Sequence, residues 1–246
     1  MLTASTNRAR STMTGFRQIF AHRHVVLPVI HVESEEQALR NARIARAAEA
    51  DGAFLINHSM DHQRLLAIHH RVFQHFPDWW IGVNCLDLDP EEVFRLVSDE
   101  VVGVWADDAA IDERSSEQPI AAEIAAAREC SGWAGLYFGG VAFKYQRPVE
   151  DLASAARIAM RYMDVVTTSG PGTGIAAERE KIVAMREATG DFPLAIASGI
   201  TPDNVGDYLE VADCFLVATG ISRSFSEIDA GKLHRLLARV REYEGP

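Results

Sequence analysis

Lysine is almost missing from this chain: of its 24 basic residues only Lys144, Lys181 and Lys232 are lysines. Long apolar runs are missing as well. The longest are strand-sized, as in Cys214-Phe215-Leu216-Val217-Ala218, far short of the roughly 20 residues that cross a bilayer, so no membrane association is expected. Nor does a basic stripe interrupt the acidic balance of 35 acids against 24 bases, a net charge of -11, and a nucleic-acid partner is not expected either. Cysteine is scarce. Cys85, Cys130 and Cys214 are odd in number and match no zinc or redox spacing, which points to a reducing, cytoplasmic setting.

Acids are absent from Met1 to His24, a stretch that carries Arg8, Arg10, Arg17 and Arg23 among Ser and Thr. The composition suits an organellar targeting segment or a tail leading into a first helix, and it lacks the apolar core of a secretory signal. The tail is the expectation, with one domain spanning 25–246. No Gly-x-Gly-x-x-Gly follows the first apolar run and no Gly-Lys-Ser/Thr occurs anywhere, so neither dinucleotide nor Walker-type binding is indicated. No cofactor is expected.

What the chain does have is alternation. Hydrophobic residues make up 48% of it. Eight short apolar runs, Val25–Ile30, Gly52–Ile56, Trp79–Val83, Val101–Trp105, Trp133–Phe138, Asp164–Thr168, Pro193–Ala197 and Asp213–Ala218, are separated by amphipathic segments. Runs apolar on both faces suit parallel strands covered by helices. Helix starts are marked by Ser34-Glu35-Glu36-Gln37, by Asp89-Pro90-Glu91-Glu92 and by Thr201-Pro202-Asp203. Eight even units in 246 residues predict a closed (β/α)8 TIM barrel of the phosphate-binding type.

In such a barrel ligands meet the loops at the C-terminal ends of the strands. The loops after runs seven and eight read Ser198-Gly199 and Thr219-Gly220-Ile221-Ser222. Glycine there lets backbone approach a ligand, and Ser198, Gly199, Gly220, Ile221 and Ser222 are the candidate phosphate cradle; the competing reading is that the glycines only make turns. Three glycines in Ser169-Gly170-Pro171-Gly172-Thr173-Gly174 suggest a second wall, with Ser169, Gly170, Thr173 and Gly174 as substrate contacts.

Lys144 follows run five and is the lysine placed to neutralise substrate charge or, less well, to act as a base or Schiff-base amine. Lys181 and Lys232 fall on helical faces and read as solvated. His31 ends run one as a candidate acid or base, or as a structural histidine. Asp107 ends run four, either as a reactive carboxylate or a loop residue. Asn84 and Asn57 are candidate positioning amides, since an amide does not titrate. Nine histidines invite a metal, but His22-x-His24 precedes the first strand, and His58 with His62 lacks a carboxylate cluster. Trp79-Trp80 is either a contact for a second copy or one indole inside the barrel and one under a helix.

These residues carry a resemblance. Gly82-Val83-Asn84-Cys85-Leu86, Phe143-Lys144, the stretch from Asp164 to Gly174, and Ala197-Ser198-Gly199-Ile200-Thr201-Pro202-Asp203-Asn204-Val205 resemble the BtpA family of TIM-barrel proteins, SgcQ-like sequences included. The chain departs from that pattern at Val32-Glu33-Ser34-Glu35 after His31, at Asn57-His58 where the family has Glu-Asn, and at Ser222. The resemblance implies the barrel and a phosphate-type ligand. Three functions stay open: an enzyme acting on a phosphorylated small molecule, a non-catalytic metabolite-binding or assembly factor, and a metal-dependent hydrolase.

Overall fold

The computed structural model describes residues 15–243. Eight parallel strands close into a barrel in sequence order: β1 (Val25–Val32), β2 (Gly52–Asn57), β3 (Trp80–Asn84), β4 (Gly103–Ala106), β5 (Leu136–Gly140), β6 (Val165–Ser169), β7 (Leu194–Ala197) and β8 (Cys214–Val217). β8 returns to pair with β1, Val25 opposite Cys214. Outside lie helices α1 (Glu35–Ala47), α2 (His62–His75), α3 (Pro90–Leu96), α4 (Pro119–Ser131), α5 (Leu152–Ala159), α6 (Arg179–Thr189) and α7 (Ala230–Arg241). This is the expected (β/α)8 barrel.

Alternation along the strands divides the core in two. One set of side chains meets the helices, and the other fills the barrel: Leu27 and Val29 of β1, Phe54 of β2, Trp80, Trp105, Phe138 and the small Ala195, Ala197 and Cys214. Space for the Trp80 indole comes from Gly103, where a Cβ would lie 2.2 Å from the ring. Phe16, within the helical residues 15–19, and Phe20, just after them, are buried in the same interior cluster. The Phe20 ring lies 5.3 Å from Trp80. Residues 15–24 are therefore part of the packed domain; the remainder of the expected tail, 1–14, lies outside the described residues. Trp79 and Trp80 divide as the second reading had it, Trp80 inward and Trp79 outward, its Nε1 donating to Ala50 O at 3.0 Å.

Three starts differ from the sequence expectation by more than one residue. Val101 and Trp133 precede β4 and β5 rather than opening them, because both pack among the helices, Trp133 Nε1 donating to Val101 O at 2.6 Å. The helix marked by Thr201-Pro202-Asp203 is only a 3-10 turn, Val205–Tyr208. There the Asn204 side chain accepts from Thr201 N and donates to Gly199 O, both at 2.8 Å, fixing the segment as a loop.

Asp51 is one of three equivalent locks. Asp51, Asp164 and Asp213 each stand immediately before β2, β6 and β8, and each accepts a backbone N–H from the preceding strand: Val26 N at 2.7 Å, Tyr137 N at 2.7 Å and Leu194 N at 2.9 Å. Each also pairs with an arginine, namely Arg241 at 2.7 Å, Arg128 at 2.5 Å and Arg186. A strand-end amide facing the barrel's lower rim has no ladder partner, so a carboxylate there satisfies it and is itself neutralised.

Candidate functional site

The strand alternation that fills the barrel continues past its last layer. His31 follows Val29 by two residues on β1, His58 follows Ile56 just beyond β2, and Asp107 follows Trp105 just beyond β4. All three side chains line one cavity of about 120 Å³ at the C-terminal mouth. Lys144, from the loop after β5, reaches the same cavity, as do Thr173, Ser198 and Thr219. Val29, Ile56, Leu86, Trp105 and Leu216 form its floor and one flank. The cavity lining is therefore a mixture of polar and apolar groups.

Burial sets the charge states. It lowers His31 to about 4, helped by the nearby His58 and Lys144 charges and opposed by a hydrogen bond to the Phe225 backbone. Nδ1 of His31 is buried without a partner, so the neutral ring offers it as an acceptor. His58 is lowered for the same reasons, burial first and Lys144 second. Asp107 is raised by burial against the pull of Lys144 and of Asn84, whose Nδ2 donates to its Oδ1 at 3.0 Å. Two neutral imidazoles, a reluctant carboxylate and an ammonium thus share one small space, a set suited to proton transfer beside an anionic group.

Other expected contacts organise the loops. Asn57 is buried, its Nδ2 donating to Met60 O at 2.8 Å and Asp87 Oδ1 at 2.6 Å, its Oδ1 accepting from Leu86 N at 2.8 Å. Ser169 Oγ accepts from Lys144 N at 2.8 Å and donates to Gly170 O, so it places Lys144. Lys181 is not solvated. Its Nζ donates to Ala142 O at 2.5 Å and Ser169 O at 2.7 Å, and burial lowers it to about 8. It ties the loops after β5 and β6 together beneath Lys144. Lys232 Nζ likewise caps Ser222 O at 2.8 Å.

The glycines make a different approach from the one expected. A Cβ on Gly199 would fall 2.3 Å from the backbone of Ala176, one on Gly170 2.1 Å from Ile175 O, and one on Gly220 1.9 Å from Ile200 O. What comes close is the protein's own backbone: the loops after β6, β7 and β8 are pressed together. Ser198, at φ +81, accepts from Gly174 N at 2.8 Å and donates to Gly172 O at 3.1 Å, pinning the β6 loop to the β7 loop. Ile221 is buried, and Ser222 Oγ donates to Ala218 O at 2.8 Å. Of the expected cradle Ser198 lines the cavity, with Ala218 and Thr219 beside it, while Gly199, Gly220, Ile221 and Ser222 do not.

Two neighbours were not singled out from sequence as site residues. His58 reads in the sequence as a polar residue past run two and as a metal candidate, and its two-residue spacing from Ile56 places it inward. Phe225 also lines the cavity; an aromatic within the polar Ser222-Arg223-Ser224-Phe225-Ser226 is its only trace. His62 points elsewhere, its Nδ1 2.9 Å from Asp87 Oδ2. His22 and His24 lie at the opposite end, His22 against Asp51 and His24 against Ala212 O. Among the described residues no three His, Cys, Asp or Glu side chains gather as a metal set. Burial raises the Cys85 thiol to about 12 and holds Cys214 well above the ordinary thiol range.

No family model matches the chain, and no curated protein does. Solved structures do. Phosphoribosyl anthranilate isomerase from Thermus thermophilus aligns over 88% of this chain and 98% of its own, with TM-score 0.64 and 20% identity. Tryptophan synthase alpha chain from Legionella pneumophila covers 97% and 99%, with TM-score 0.65 and 13% identity. (S)-3-O-geranylgeranylglyceryl phosphate synthase from Thermoplasma acidophilum, solved with sn-glycerol-1-phosphate, covers 99% and 100%, with TM-score 0.66 and 15% identity. At these identities the likeness is one of fold: this chain is similar to single-domain TIM barrels along nearly its whole length.

Proposed function

We propose that the chain is an enzyme that acts on a phosphorylated small molecule at the C-terminal mouth of its barrel. The observation that carries this is the convergence of Lys144, Asp107, His31 and His58 on one cavity beside the joined β7 and β8 loops. Lys144 neutralises the anionic ligand, and Asp107 with the neutral imidazoles moves protons. Asn84 orients Asp107. The phosphate is held beside the Ser198 and Thr219 hydroxyls, which line the cavity next to Lys144.

Two further considerations support the reading. The similar barrels include, by their names, enzymes of phosphoribosyl and glyceryl phosphate compounds. The Ala197–Val205 stretch that resembles the BtpA family builds the junction of the β7 and β8 loops, and membership of that family is part of the proposal.

The test is thermal unfolding of the wild-type chain and of Lys144→Met with ribose 5-phosphate and nucleoside 5′-monophosphates. A ligand at about a hundred times its Kd stabilises by roughly 2.7 kcal/mol, a Tm rise of about 5 °C or more for a chain this size. The rise should appear in the wild type and vanish in Lys144→Met. Absence of any rise, or one that survives the substitution, would overturn the proposal.

A further inference from the structure

Exposed large apolar side chains are few among the described residues, and four of the seven sit on loops that follow strands: Leu86, Tyr145, Ile175 and Phe225. Apolar surface concentrated at a binding mouth marks something that covers it. Phe225 is the best defined. Its side chain lies 57% exposed, yet its ring packs 4.4 Å from His31 and 5.1 Å from His58, themselves 4.7 Å apart.

The segment that presents Phe225 is fixed before any ligand arrives. Ser222 and Ile228 form an antiparallel bridge, and Arg223 N donates to Glu227 O at 2.9 Å. From α1, Gln37 Nε2 and Asn41 Nδ2 both donate to Ser226 O at 2.6 Å, while Asn41 Oδ1 accepts from Ile228 N at 3.1 Å. A loop tethered this firmly has no need of an exposed phenyl ring for its own stability. Two imidazoles and the phenyl ring form an aromatic wall on one side of the cavity, with Lys144 and Thr173 among the other lining residues.

We propose that this wall is a stacking subsite, so that the ligand is a phosphorylated compound carrying a planar aromatic or heteroaromatic ring and not a bare sugar phosphate. The inference rests on the reading of the mouth as a phosphate-ligand site and adds the class of group attached to that phosphate. The cavity of about 120 Å³ accepts only the reacting part of such a ligand; the ring lies against Phe225 at the rim, where offset or edge contacts between rings are favourable.

Four probes separate the two claims: ribose, ribose 5-phosphate, uridine and uridine 5′-monophosphate, with adenosine and its monophosphate as a second pair. Each is titrated calorimetrically into the wild type, Phe225→Leu and Phe225→Trp. The monophosphates should bind about three- to tenfold more tightly than ribose 5-phosphate, the range expected for an aromatic pair. Phe225→Leu, which keeps apolar bulk and loses the plane, should abolish that preference. Phe225→Trp should keep it and show indole fluorescence quenched by ligand.

If ribose 5-phosphate binds equally well, or the ring preference survives in Phe225→Leu, the stacking subsite is wrong while the phosphate reading stands. Nucleosides that bind through Phe225 with no gain from phosphate would sink the phosphate reading and leave the ring subsite. Binding of none of the probes overturns both. A change of oligomeric state in Phe225→Leu with ligand preference unmoved would reassign the rim to a protein contact.

Discussion

The two ends of the barrel treat charge in opposite ways. At the N-terminal end each buried carboxylate is surrounded by donors: Asp51 takes Val26 N, Arg241 and His22, and Asp213 takes Leu194 N, Arg186 and Arg17. Phe16 and Phe20 close that end. At the C-terminal end Asp107 has one amide donor, and Lys144 has its ammonium 5.4 Å from the Phe143 ring. Burial without compensation costs free energy. The lower end pairs its buried carboxylates to hold strands together; the upper end leaves Asp107 with a single side-chain donor, as the proposed site would require.

The largest effect that could break this comparison is at Asp51. Its side chain is 4% exposed, and Asp51→Ala strands the Val26 amide and leaves the Arg241 guanidinium only its bond to His24 O. Breaking a buried pair from one side costs about 3–5 kcal/mol. Urea unfolding should report that loss, while affinity of the folded fraction for phosphorylated ligands stays unchanged. A loss below about 1 kcal/mol, the range of ordinary surface pairs, would mean that the lower end is not locked as described.

Acid sharpens the contrast at intermediate size. His31 titrates at about 4 when folded against 6.5 for an ordinary histidine. Between those values the unfolded chain binds the extra proton, so stability falls as pH drops from 6.5 toward 4 and is fully present above 6.5. The burial behind this shift is incomplete, and a contribution on the order of 2 kcal/mol is expected. His31→Gln should show a shallower loss than the wild type across that window in paired urea titrations. Parallel curves would show that His31 is hydrated and free to protonate.

How much of this was legible beforehand follows from what each feature depends on. The barrel depends on period, and eight two-sided apolar runs carry it. His31, Asp107 and Lys144 are among the first polar residues past their runs, and strand ends fix their location. His58 needed the inward parity of Ile56 to be carried two residues further. Phe225 depends on where a hairpin lies against α1, a tertiary fact set by Gln37 and Asn41. The locking role of Asp51, Asp164 and Asp213 and the buried role of Lys181 have the same origin: each partner is distant in sequence. The same distance hides why Gly199 and Gly220 are glycines, because the atoms they avoid belong to other loops.

The smallest effect is the most discriminating. Burial raises Asp107, so its ionised form costs stability above its folded pKa, and that cost disappears below 3.8, where both states are protonated. Asp107→Asn keeps the shape and an acceptor for Asn84 while removing the charge. At pH 7 the variant should match the wild type or exceed it by up to about 1 kcal/mol, the usual gain when a site residue is traded for stability. That margin should shrink as the pH approaches 4. Turnover, once a substrate is in hand, should collapse in the same variant. Had Asp107 been another lock like Asp51, its loss would destabilise at every pH above 4 and leave ligand affinity alone; the sign of one unfolding difference therefore decides which end of the barrel Asp107 resembles.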